Sequence, residues 1–182
     1  MKTLPLFLCL IFLLLSSAEA SPYNFYTPLT NCNVSVPNVA FSTGTNGTAY
    51  TISANKTWSE VNFTGTLKET YYEYALNITN LSYIGNYSVK LENTSITGIS
   101  RLTNFTTYFH DGTTSKQVEI SNGAITQSSG PWYSIATSAT IYLSLAIQVS
   151  ASGNSTVDLR LHIVASGTTS PEIIQAVRIN VD

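Results

Sequence analysis

An all-β fold, an antiparallel sandwich of jelly-roll type preceded by an extended N-terminal arm, follows from three features of the sequence. Period-two alternation of apolar and polar residues recurs along the chain, helical periodicity does not, and Gly/Asn/Ser breaks fall about every ten residues. The clearest alternation runs from Ile141 through Leu143, Leu145, Ile147 and Val149, with Tyr142, Ser144, Ala146 and Gln148 between them. A Gly- and Asn-containing turn at 150–155 follows, and Val157, Leu159, Leu161 and Ile163 then alternate with Asp158, Arg160 and His162. Read locally, these two strands make a long hairpin. Val177, Ile179 and Val181 repeat the pattern after the break at Pro171. Further strands are expected at Tyr72–Ile78, Tyr87–Leu91, Thr106–Phe109 and Gln117–Ile120, and no internal repeat or heptad stands out.

The first 20 residues have the form of a cleavable export signal. Lys2 supplies positive charge, Leu4 to Leu15 are almost uniformly apolar, and Ala18-Glu19-Ala20 is the small-x-small pattern that signal peptidase recognises. A membrane span needs about 20 apolar residues, more than this run offers. Phe7 and Leu8 before Cys9 are bulky where a lipidation signal has a small residue. The expected organisation is therefore signal peptide 1–20, extended arm 21–38 and one β-sandwich domain 39–182, with no membrane span in the mature chain. That mature chain keeps one thiol, Cys32, so an intrachain disulfide is excluded. Cys32 is buried, reactive or joined to another chain, and burial is the commonest of the three.

Charged residues make up 10% of the sequence and the net charge is −2, which argues against a nucleic-acid partner. With so few carboxylates, acid destabilisation by their protonation should be limited. Ser, Thr, Asn and Tyr dominate instead. The 15 Asn and 45 Ser plus Thr of residues 21–182 would place a hydroxyl two positions after an Asn about four times by chance. Ten such sequons occur, at Asn33, Asn46, Asn55, Asn62, Asn77, Asn80, Asn86, Asn93, Asn104 and Asn154, none with Pro in the middle. The excess points to N-linked glycans, and crowding between Asn33 and Asn104 suggests that one part of the surface is sugar-coated while another is kept for packing.

A catalytic constellation is hard to find. His110-Asp111-Gly112 is the one place where an imidazole and a carboxylate are neighbours, and they cooperate only if they lie in a turn. His162 falls on the polar face of its strand and reads as solvent-exposed. Glu73, Asp111, Glu119 and Asp158 offer carboxylates with nothing in the sequence to unite any two of them. No metal-ligand cluster, phosphate loop or nucleophile turn is present, so no metal, cofactor or enzymatic activity is expected.

The arm is more informative. Tyr23, Phe25 and Leu29 share one parity, Cys32, Val34 and Val36 the other after a shift near Asn31, and Pro22, Pro28 and Pro37 punctuate the stretch. Proline favours extended structure at edges and first positions of strands. A strand docking on a sheet edge, a flexible leader and the ordinary first strand of the domain all fit this pattern.

In layout, with its Ala-x-Ala signal, apolar arm, sequon-rich β domain and final alternating strands around Ile141–Ile163, the chain resembles archaeal extracellular thread and bundling-pilus filament subunits, which are similar in fold to TasA-type biofilm fibre proteins. The likeness spans the whole mature chain and rests on no short diagnostic motif. It implies that the arm is a donor strand, with Tyr23, Phe25, Leu29, Val34 and Val36 completing the sheet of the next copy. Secreted subunits would then polymerise into glycosylated threads at the extracellular cell surface, serving adhesion or biofilm formation. The partners implied are other copies of the chain and N-linked glycans. Type IV pilins fit less well, because they keep the apolar N-terminal segment that Ala-x-Ala cleavage removes. Two other classes remain. One is a monomeric cell-envelope glycoprotein or carbohydrate-binding module, with Trp58, Trp132 and Tyr133 as an aromatic platform. The other is a secreted hydrolase using His110 and Asp111.

Overall fold

The computed structural model describes residues 37–46, 49–167 and 172–182. The export signal, Cys32, Asn33 and the donor-strand residues Tyr23, Phe25, Leu29, Val34 and Val36 lie outside them. Twelve strands account for nearly all the regular structure: β1 Val39–Thr43, β2 Ala49–Ile52, β3 Trp58–Phe63, β4 Thr70–Asn80, β5 Tyr87–Thr97, β6 Leu102–His110, β7 Thr114–Ser121, β8 Ala124–Gln127, β9 Tyr133–Ile135, β10 Thr140–Val149, β11 Ser155–Ala165 and β12 Ile173–Val181. A single turn of 3-10 helix, Ile99–Arg101, interrupts them between β5 and β6.

They form a two-sheet sandwich, as the alternation predicts. Sheet A has the order β1-β4-β10-β6-β7-β8 and sheet B the order β2-β3-β12-β11-β5-β9. Successive strands repeatedly change sheet, at β1–β2, β3–β4, β4–β5, β5–β6, β8–β9, β9–β10 and β10–β11. Such crossing is how Greek-key and jelly-roll sandwiches bring together strands distant in sequence. Pairing is antiparallel except between β3 and β12, which run parallel from Trp58 opposite Ala176 to Phe63 opposite Val181.

The alternating residues form the core. Ile141, Leu143, Leu145, Ile147 and Val149 of β10 in sheet A and Val157, Leu159, Leu161 and Ile163 of β11 in sheet B are all at most 4% exposed and belong to one hydrophobic core. Phe41, Phe63, Phe105 and Phe109 complete the layer. The expected β10–β11 hairpin is corrected, however. β10 pairs with β4 and β6, while β11 pairs with β12 and β5. Alternation specifies which face is buried and says nothing about the hydrogen-bonding neighbour, so two strands in opposite sheets read like two strands side by side. Residues 150–154 are an arch between sheets, clamped by Arg101. Its guanidinium donates to Ala151 O at 2.8 Å and Ser155 Oγ at 3.1 Å, and its backbone O accepts from Ser150 N at 2.8 Å.

True hairpins are found elsewhere. β7 and β8 join through Asn122-Gly123, with φ of 49° and 72°. Positive φ at both central residues defines the type I′ turn that Asn-Gly favours. Buried glutamines tie the sheets at both sides: Gln175 of β12 donates to Val39 O of β1 at 2.6 Å, and Gln117 of β7 accepts from Leu91 N of β5 at 3.0 Å.

Candidate glycosylation and recognition surfaces

Nine sequon asparagines fall among the described residues, and strand parity sorts them. Asn46, Asn55, Asn86 and Asn154 are exposed in turns between strands. Asn62, Asn77, Asn93 and Asn104 are half-buried on the outer faces of β3, β4, β5 and β6. Two of these strands belong to sheet A and two to sheet B. The expected division into one sugar-coated and one bare region is therefore corrected: consecutive strands alternate between sheets, so crowding along the sequence becomes dispersion over both faces.

Asn80 stands apart from the other sequons. It is 0% exposed, and its Nδ2 donates to Gly85 O at 2.9 Å, Ala136 O at 3.0 Å and Ile135 O at 3.4 Å. Its Oδ1 accepts from Ser82 N at 2.9 Å. An amide buried among carbonyls satisfies groups that are costly to leave unpaired. Asn77 and Asn80 are three residues apart on one strand, so they must point to opposite faces. Asn80→Ala is expected to cost about 2 to 4 kcal/mol in denaturant unfolding, because it orphans carbonyls and Ser82 N together. Site-resolved mass spectrometry should find Asn80 unmodified. A glycan on Asn80, or an Asn80→Ala variant as stable as the parent, would contradict this assignment.

The catalytic candidates disperse. Asp111 lies in the β6–β7 turn and accepts from Tyr133 Oη and from Thr113 Oγ1 and N. The Tyr133 hydrogen bond is the main cause holding its carboxyl below the usual range. His110 turns instead to Tyr74, ring centres 5.6 Å apart and nearly perpendicular. Glu119 is held by Lys116 at 2.7 Å, and Asp158 by Arg178, Nε to Oδ1 at 2.7 Å. Glu73 lies in an irregular stretch of β4, its backbone O accepting from Asn46 Nδ2 at 2.7 Å. Among the described residues no group of three or more His, Cys, Asp or Glu is placed to hold a metal. None of their helices is long and apolar enough to cross a membrane.

Asp158 carries a pH prediction. The Arg178 hydrogen bond is the main cause lowering its pKa, and Ser95 Oγ adds a bond at 2.9 Å. A lowered carboxyl stabilises the fold above its unfolded pKa and loses that contribution as pH falls through the folded value. Thermal midpoints measured at pH 7 and pH 3 should therefore differ less in Asp158→Asn than in the parent. An equal acid-induced drop in both proteins would show that the pair adds nothing.

His162 corrects the expectation of exposure. It is 7% exposed, with Nδ1 2.8 Å from Glu172 and Nε2 2.7 Å from Glu92. The outer face of a sheet buries a residue when neighbouring strands send long side chains over it, which period-two reading of a single strand does not register.

The anticipated aromatic platform is not assembled either. Trp58 sits on β3, separated in sheet B by three intervening strands from β9, which carries Tyr133 and follows Trp132. Trp132 lies under Lys90 at 4.9 Å. An aromatic patch forms instead on the outer face of sheet A. Tyr74 meets Tyr142 at 4.6 Å and His110 at 5.6 Å, and Tyr71 meets Tyr108 at 6.1 Å. Ser144 and Ala146, nearly inaccessible at 1% and 3%, lie between these tyrosines on β10. The alternation of Tyr142 with the core residues was the available signal for this patch; its partners come from β4 and β6, which only the topology brings alongside.

No protein-family model matches the chain, and no curated protein matches it. Among solved structures it is similar to a PapD-like domain of human CEP192, at 7% identity over 80% of this chain and 84% of that one, TM-score 0.46. It is also similar to the CooA pilin subunit of enterotoxigenic Escherichia coli, at 11% identity over 80% and 98% of the two chains, TM-score 0.42. The N-terminal domain of PorA gives 14% identity over 79% and 95%, also with TM-score 0.42. At these values the likeness is one of the all-β sandwich alone.

Proposed function

We propose that the protein is a structural subunit of a secreted, N-glycosylated cell-surface filament, in which the arm Ser21–Val36 of one copy adds as a β-strand to a sheet edge of the next, serving adhesion or biofilm formation. The observation that carries this reading is the place where the arm joins the domain. Pro37 and Asn38 lead directly into β1, an edge strand of sheet A, so the described domain begins at a sheet edge and not at a sheet centre. Edge strands present unpaired backbone groups that an extended peptide can complete. The edges here are short, at 5, 4, 4 and 3 residues for β1, β2, β8 and β9. Shortness limits indiscriminate pairing and leaves a specific arm as the fitting partner. Arm and acceptor edge are different surfaces, so repetition of the contact builds an open filament and not a closed dimer.

The outward sequons support the same reading, since eight of the nine described sequon Asn side chains reach the surface of the sandwich. Glycans there would cover an exterior poor in charge and rich in hydroxyl and amide groups. Negative-stain microscopy of cell-surface material, with antibody against this chain, tests the proposal. Labelled threads are the expected result, and a protein found only as a dispersed monomer at native abundance would overturn it.

A further inference from the structure

The outer face of sheet A contains a feature that packing of the core does not require. Between the pairs Leu143–Leu76 and Leu145–Tyr72, three residues of β4 oppose one residue of β10. Within this bulge Tyr74 has φ of 52°, the left-handed region that L-residues with bulky side chains rarely adopt. The surroundings hold it there. Tyr74 N donates to Ser144 Oγ at 3.1 Å, and Tyr74 O accepts from Thr45 N at 2.8 Å. A Cβ on Gly44 would stand 1.9 Å from Tyr74 O, so only glycine fits beside the bulge. Bulges re-aim side chains, and over-determined strain of this kind gathers at functional positions. Here the bulge aims Tyr74 edge-on against Tyr142.

Asn77 is the residue directly opposite Tyr142 in the β4–β10 ladder, and both lie on the outer face. With Tyr74 and Thr45 they line one shallow concavity. Thr79, the sequon hydroxyl, shares that face and pairs with Thr140 Oγ1 at 2.9 Å. Asn77 Nδ2 donates to Thr43 O at 3.0 Å, and an N-glycosylated amide keeps one N–H with which to do so. Cross-strand neighbours lie about 5 Å apart at Cβ, so a first sugar on Asn77 starts within reach of the Tyr142 ring. A pyranose offers one face of C–H groups, which an aromatic ring shields from water and attracts through its π electrons, while tyrosine hydroxyls bond the sugar hydroxyls.

We propose that Tyr142 and Tyr74 form a docking site for the glycan carried by Asn77, holding a hexose or N-acetylhexosamine against the outer face of sheet A. This rests on the reading that the chain is N-glycosylated. The experiment is site-resolved periodate oxidation of the intact native glycoprotein, followed by mass spectrometry. The Asn77 glycan is expected to react several-fold more slowly than the glycan on exposed Asn154. Tyr142→Ala should remove that protection, whereas Tyr142→Phe, which keeps the ring, should preserve most of it. In parallel, Tyr142→Ala should lower the thermal midpoint at least twice as much with Asn77 glycosylated as in an Asn77→Gln background, a difference that simple loss of packing does not produce. Equal oxidation rates at Asn77 and Asn154, or equal midpoint losses in the two backgrounds, overturn the docking site. An unmodified Asn77 beside occupied sequons overturns it while leaving the glycoprotein reading intact, and absence of all glycans removes that reading as well. Loss of filaments in Tyr142→Ala with an unprotected Asn77 glycan would assign the patch to a second copy of the chain, and binding of free saccharide with Asn77 unprotected would assign it to an external sugar.

Discussion

Replacing Phe25, Leu29 and Val34 together by Asp is expected to leave the domain folded and to abolish filaments. If the arm acts in trans, the apolar side chains among Tyr23, Phe25, Leu29, Val34 and Val36 each contribute about 1.5 to 3 kcal/mol on burial. Fixing the backbone costs about 1 to 2 kcal/mol per residue, so the surplus that drives assembly depends on keeping nearly all of that burial together with the ladder hydrogen bonds. A carboxylate in place of one anchor reverses its contribution, because an unpaired charge must be desolvated. Three such changes exceed any surplus of this size. Microscopy reads the filaments, and the thermal midpoint of the purified subunit checks the fold. A peptide spanning Ser21–Val36 should also cap the triple variant as a monomer, since its own acceptor edge is untouched. Filaments formed by the triple variant would exclude assembly through this arm.

The second large effect concerns the core. Leu143→Ala and Leu161→Ala should each cost about 2 to 5 kcal/mol, and the double variant should be unfolded or nearly so against a total stability of about 5 to 15 kcal/mol. Both side chains are at most 1% exposed. Leu143 lies between Leu76 and Phe109 in sheet A, while Leu161 lies between Leu91 and Gln175 in sheet B. Truncating them opens cavities on both sides of one core, where strands held by their own ladders cannot collapse to fill the space. Leu67→Ala, at a position 69% exposed, should change stability by less than about 0.5 kcal/mol. Urea unfolding of the three single variants and the double decides the matter. A double variant that retains most of its stability would mean that the two leucines do not share one core.

Alternation alone was enough to identify the core-facing apolar residues of β10, β11 and β12, because a strand with one face in the core must place apolar side chains at every second position. The sequon excess and the I′ turn at Asn122-Gly123 are equally local, being properties of triplets and dipeptides. The opposite orientations of Asn77 and Asn80 were also within reach, since residues three apart on a strand cannot share a face. What sequence reasoning missed depends on lateral neighbours. That β10 and β11 belong to opposite sheets, that β3 runs parallel to β12, that Glu92 and Glu172 cover His162, and that Tyr74 reaches Tyr142 and His110 all depend on which strands lie side by side. Backbone hydrogen bonds between strands are chemically identical at every position, so they leave no mark on the sequence. Only the closing of a common core, with each sheet burying its apolar face against the other, selects one order of strands and with it the residues that meet on the outer faces.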